Sequence, residues 1–198
     1  ALGTTLDVTG TSFRLHLRGD DPVEFKLSLL GEFQAENAAL ACLTLRRTRP
    51  EIPLECYRDG LLAASLPGRM EVVGTNPPVV LDGAHTPLAV NRLIDSFNKI
   101  FPGEAVLLFG SVAGKRPREM ASILAGRFPR IVISTPGTFK ESNPEQVFEI
   151  FRGLNPGTVL EKTPESALRR ARQESGGTRP ILVTGSFYMV AEIRRLLA

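Results

Sequence analysis

Five short apolar runs, at 79–81, 106–109, 131–134, 158–160 and 181–184, each lead into a segment whose apolar residues recur at helical spacing. Nothing else in the chain limits its fold so strongly. Strands that alternate with helices of ten or more residues require right-handed crossovers. The outcome is an α/β fold, a mostly parallel sheet with helices on both faces. The helices are expected from Pro87, about Pro117, Pro144, Pro164 and about Ser186. Proline after Thr, Asn or Arg marks several of these starts, since a first-turn residue needs no N–H partner and proline's φ is already helical. One edge of such a sheet collects every strand-to-helix turn, and open α/β sheets bind ligands there.

The residues before this pattern behave differently. Positions 11–17 alternate apolar and polar, as do Val23, Phe25, Leu27 and Leu29 with their neighbours, and Gly19-Asp20-Asp21-Pro22 lies between. That predicts a β-hairpin with a four- or five-residue loop, with His16 as an exposed strand residue. Two helices follow, over 34–45 and 53–64. Leu66-Pro67-Gly68 breaks the chain, so we divide it into 1–66 and 67–198, the second part opening on a short strand over 69–73.

Composition excludes several classes of function. The net charge is +3, and the arginines are scattered rather than gathered into a basic stripe with aromatics, which argues against nucleic acid. No apolar run reaches membrane-spanning length. Two histidines and two cysteines give no zinc spacing; Cys42 and Cys56 fall in helical patterns and read as buried thiols of a cytosolic protein. The chain starts without Met and in mid-pattern at Ala1-Leu2-Gly3, and is expected to be a piece of a longer protein.

On the ligand edge the sequence would gather Asp82 and His85, then Gly110 to Lys115, then Ser134 to Lys140, then Thr184-Gly185-Ser186. Hydroxyls, a carboxylate, an imidazole and lysines near helix N-termini suit a polar, partly anionic ligand. An Asp or Thr before a helix, as at Asp82 and Thr86, is most often only a cap, and Ser186 reads equally as a plain N-cap and as a ligand contact. Gly110 to Lys115 is one residue short of a phosphate loop, and Arg116 stands where a metal-binding hydroxyl would be. Gly185-Ser186-Phe187-Tyr188 lacks the second glycine of a nucleophile elbow, and no Gly-x-Gly-x-x-Gly follows a strand. The residues by themselves stop at an α/β domain with a polar ligand cleft.

Four segments carry more. Leu-Pro-Gly-Arg-Met-Glu-Val-Val (66–73), Val-Leu-Asp-Gly-Ala-His-Thr-Pro (80–87), Val-Thr-Gly-Ser-Phe (183–187) and Gly-Glu-Phe-Gln-Ala-Glu-Asn-Ala-Ala (31–39) together resemble the folylpolyglutamate synthases, amide ligases of the Mur type. The resemblance implies that 1–66 is the end of a central ATPase domain. It implies that 67–198 is the Rossmann-like C-terminal glutamate-ligase domain. The implied reaction adds L-glutamate to folate with ATP through an acyl phosphate, in a monomer. The phosphate loop and the Mg2+ ligands are expected upstream, so the fragment alone would be inactive.

The same resemblance assigns roles. Asn37, at a helix start, would contact the adenine side of ATP, and Arg69 would reach the γ-phosphate. Asp82 would accept from the ribose hydroxyls, and His85 would lie near the reacting carboxylate or amine. Ser186 and its helix amides would hold the carboxylate of glutamate, with Lys115 at a further substrate position. The pattern departs at Phe33, Thr86, Gly114-Lys115-Arg116, Tyr188 and Met189. These departures leave open a bifunctional enzyme that also makes dihydrofolate, another Mur-type ligase, or a non-catalytic α/β binding module.

Overall fold

A computed structural model describes residues 2–16, 21–74 and 76–197. The chain forms two compact units, one of residues 1–66 with Asp95–Ile100, the other of Pro67–Ile94 with 101–198.

In the first unit, β1 (Leu2–Asp7), β2 (Gly10–Leu15) and β3 (Val23–Leu27) form an antiparallel sheet in that order. The expected hairpin is β2–β3, paired from Thr11↔Leu27 to Leu15↔Val23, while residues 17–20 of its loop lie outside the described residues. Phe13 and Phe25 are register partners, and their rings stack at 5.6 Å. β1 escaped the sequence pattern because it is an irregular edge strand, with a register shift between Leu2 and Thr5. Helices α1 (Glu32–Thr48) and α2 (Leu54–Ala63) cover the sheet; Ala35, Ala38, Ala39, Cys42 and Tyr57 join the phenylalanines in one apolar cluster. Cys42 is buried as expected, but Cys56 is exposed. The short α2 buries only Tyr57, and its neighbour Cys56 falls on the outer face.

The second unit is a six-stranded sheet in the order β4-β5-β9-β6-β7-β8. Its strands are β4 (Glu71–Val73), β5 (Val79–Leu81), β6 (Val106–Phe109), β7 (Arg130–Ser134), β8 (Thr158–Glu161) and β9 (Ile181–Thr184). Five are parallel; β4 alone is antiparallel, on the edge beside β5. The strand expected over 69–73 starts only at Glu71, because Met70 has φ 46 and gives its N–H to the Asp82 carboxylate instead of a strand partner.

Connecting helices are α3 (Pro87–Ile100), α4 (Pro117–Leu124), α5 (Pro144–Arg152), α6 (Pro164–Ser175) and α7 (Phe187–Leu197). Thr86, Asn143, Thr163 and Ser186 accept from the third-residue N–H of their helices, so the expected caps form. Leu81, Val106, Leu108, Val132 and Val183 pack on Ala167 and Ala171 of α6 and on Met189 and Ile193 of α7. The opposite face carries Phe109, whose ring meets Phe151 of α5 at 5.0 Å. Chain order runs outward from β5 through β6 and β7 to β8, then returns by α6 to insert β9 in the middle. Right-handed crossovers therefore send α3 and α6 to opposite faces, α7 packs on the face that carries α6, and the turns after β5 and β9 flank a crevice.

Candidate active site

Leu81 is the parallel register partner of Val183, so the turns after β5 and β9 leave the same rim side by side. Three hydrogen bonds lace them. Gly185 N–H and the Thr184 hydroxyl donate to the Ala84 carbonyl, at 3.0 and 3.2 Å, and Asp82 N–H donates to Val183 at 3.0 Å. Gly110 N–H reaches the Thr184 carbonyl at 3.1 Å, which adds the turn after β6.

Asp82 is 2% exposed. One carboxylate oxygen accepts from Ala84 N–H at 2.7 Å, the other from Met70 N–H at 3.0 Å. Gly83 N–H donates to the Gly68 carbonyl at 2.9 Å, so the backbone is gripped on both sides of Arg69. Arg69 itself is exposed, and its guanidinium carbon lies 4.5 Å from the centre of the Phe187 ring. Burial raises the Asp82 pKa to about 6, against the pull of the two amides and the charges of Arg69 and His85.

That shift has a direction in stability. A carboxyl whose folded pKa is raised contributes most below its unfolded value near 3.8, and the contribution is lost as pH rises through about 6. Between pH 4 and pH 7 the wild type should lose on the order of 3 kcal/mol relative to Asp82→Asn, which cannot titrate. Urea midpoints of the two proteins across that range provide the measurement, and parallel profiles would contradict it.

The His85 ring contacts the Gly83 carbonyl through Nδ1 at 2.8 Å. A carbonyl only accepts, so Nδ1 carries the proton and Nε2 is left to meet a ligand. Ser186, 2% exposed, accepts from Met189 N–H at 3.1 Å, so its hydroxyl serves as the cap of α7 and still has its proton to donate. Beside these groups lies a cleft of about 400 Å³ lined by His85, Lys115, Lys140, Ser186, Phe187 and Tyr188. Its outer wall is fixed at two points: Ala113 N–H donates to the Glu141 carbonyl at 2.8 Å, and Phe139 stacks on Tyr188 at 5.4 Å.

The sequence-selected residues therefore divide into groups. His85, Lys115 and Ser186 share the cleft, Arg69 adjoins it through Phe187, and Asp82 holds the backbone next to Arg69 through Met70 N–H. Asn37 belongs to the first unit. It is not at a helix start: α1 begins at Glu32 behind Gly31, and exposed Asn37 donates to Gln34 Oε1 at 3.0 Å within the helix. Phe187, Tyr188 and Lys140 were not selected as site residues. Phe187 follows Ser186 directly, but its partner Arg69 lies more than a hundred residues earlier in the chain, and the pairing leaves no trace in local spacing. Among the described residues no group of three His, Cys, Asp or Glu could hold a metal, and no helix is long and apolar enough to cross a membrane.

Comparison with known proteins gives a consistent result. Residues 68–187 match the family described as Mur ligase, glutamate ligase domain. A probable bifunctional folylpolyglutamate synthase/dihydropteroate synthase of Haloferax volcanii is 34% identical over 88% of this chain and 21% of its own length. The folylpolyglutamate synthase of Lacticaseibacillus casei is 30% identical over 88% of this chain and 40% of its own. The chain thus spans from about a fifth to two fifths of these relatives. The crystal structure of Mycobacterium tuberculosis folylpolyglutamate synthase, complexed with ADP and AMPPCP, shares the fold over 100% of this chain and 47% of that one, with a TM-score of 0.89 and 23% identity.

Proposed function

The chain belongs to the Mur ligase family by its glutamate ligase domain, and from that we propose that it is part of an ATP-dependent ligase that adds L-glutamate to a folate. In this reading residues 1–66 end the central ATPase domain and 67–198 form the glutamate-ligase domain. The observation that carries it is the common rim, where a guanidinium, an imidazole and two lysines meet the N-terminus of α7.

The chemistry is a two-step amide synthesis. A folate carboxylate oxygen attacks the γ-phosphorus of ATP, ADP leaves, and an acyl phosphate forms. The glutamate amine then attacks the acyl carbon, and phosphate departs as the C–N bond closes. No enzyme nucleophile is needed, so catalysis rests on placement and on cations facing the transferring oxygens. Arg69 is assigned to the γ-phosphate, since its planar fork meets phosphoryl oxygens two at a time. Asp82 holds the Arg69 backbone; with both oxygens engaged, it would reach ribose hydroxyls only if its turn opened. His85 Nε2 meets the reacting carboxylate or amine. Lys115 and the first amides of α7 receive glutamate carboxylate, the Ser186 hydroxyl adding its proton. Asn37 is kept for the adenine side, where its exposure leaves its carbonyl free to accept. Magnesium is given no residue of this chain.

Assay of the full-length protein with folate, dihydropteroate and muramyl-peptide acceptors tests the assignment; turnover only with a muramyl peptide would replace it. Lys115→Ala should raise the KM for L-glutamate by about tenfold with kcat far less affected, the scale of one charged hydrogen bond. An unchanged KM removes Lys115 from the binding set.

A further inference from the structure

We propose that Phe187 is a positioning residue that orders the Arg69 guanidinium for catalysis; this rests on the phosphate-facing role of Arg69 given above. Arg69 is exposed and forms no salt bridge among the described residues; the Phe187 ring at 4.5 Å is what its charge lies against. A carboxylate partner would occupy the N–H edges of the guanidinium and cancel its charge. An aromatic face takes only the flat side, and leaves all five edge donors and the full charge for an anionic oxygen. Stacking also confines a long side chain before the ligand arrives, which lowers the ordering cost of binding.

The ring is itself held in place. Phe187 is the first residue of α7, behind the Ser186 cap. Gly83 hollows its seat, since a Cβ there would stand 2.5–2.6 Å from three ring carbons. At Gly68 an added Cβ would meet Val190 at 2.8 Å and the Phe187 ring at 3.5 Å. The ring's edge meets His85, with centroids 6.3 Å apart and planes at 61°, and the ring also lines the cleft beside Lys115 and Ser186. One side chain therefore joins the arginine assigned to ATP to the pocket assigned to glutamate.

The test is a double-mutant cycle in the full-length protein, following kcat for amide formation and KM for ATP. Phe187→Leu should lower kcat about tenfold, within the range of a cation–π contact, and Phe187→Tyr should restore it to within about twofold. In an Arg69→Ala background, Phe187→Leu should change kcat by less than about twofold, because the group it orders is gone. Gly83→Ala, which displaces the ring without removing it, should repeat that pattern and serves if Phe187→Leu folds poorly. Equal losses in both backgrounds would make the ring a structural prop and overturn the proposal, as would an unchanged kcat in Phe187→Leu. If Arg69→Ala alone is silent, the phosphate role of Arg69 fails first, and that single variant reveals it. If Arg69→Ala is costly while Phe187→Leu is not, only the inference falls.

Discussion

Full-length protein carrying Arg69→Ala is expected to lose folate-dependent ATP hydrolysis by about two orders of magnitude, with its thermal midpoint nearly unchanged. The two halves of that expectation have separate causes. The guanidinium is exposed and lies against the Phe187 ring, so its removal affects stability by well under about 1 kcal/mol. A cation aimed at a transferring phosphoryl group acts where charge moves in the transition state, and its loss appears in turnover. Asp82→Ala should cause a comparable loss of turnover, but by another route. It strands the Met70 and Ala84 N–H groups in a buried turn and frees the loop that carries Arg69. After relief of the carboxylate's own desolvation, about 2 kcal/mol of stability should be lost as well. Turnover and thermal melts of both variants separate the two routes, and unchanged turnover in both would refute the site.

Gly185→Ala should be the most damaging single methyl group in the unit, at about 2–6 kcal/mol by urea denaturation. Gly185 has φ 107, a conformation that side chains rarely adopt. Its missing Cβ would stand 2.7 Å from the Gly110 carbonyl oxygen and 2.8 Å from the Phe109 ring. Backbone cannot yield there, because Gly110 N–H is bonded to Thr184 and Gly185 N–H to Ala84. A domain stable by roughly 5–15 kcal/mol would have little left. The bare Cα of this glycine admits the neighbouring strand's turn. A midpoint within experimental error of wild type would show that the turn can relax.

What could be read from the sequence follows from how local each cause is. β6 and β9 match their expected bounds because buried parallel strands are bare apolar runs, and the helices start at their prolines because the cap and the first turn are adjacent residues. Leu2 to Asp7 was missed: an edge strand that buries little has no reason to alternate. Met70 illustrates the converse, for a distant carboxylate takes the N–H that would have extended β4. Within the site, Asp82, His85, Lys115 and Ser186 stand out because each sits in a turn at a strand end. Phe187 does not, since an aromatic ring in a first helical turn is common, and its use depends on a partner more than a hundred residues away.

The placement of β9 has a consequence for how the protein is made. Of this sheet's strands the one latest in sequence lies in its middle, and the Thr184–Ala84 bond closes a loop of 100 residues. A ribosome must release the other five strands of the sheet before β5 and β6 can be bridged. Such long-range closure is slow. Until it happens the nascent chain exposes the flanks of β5 and β6, and that interval is when chaperones and proteases would compete for it.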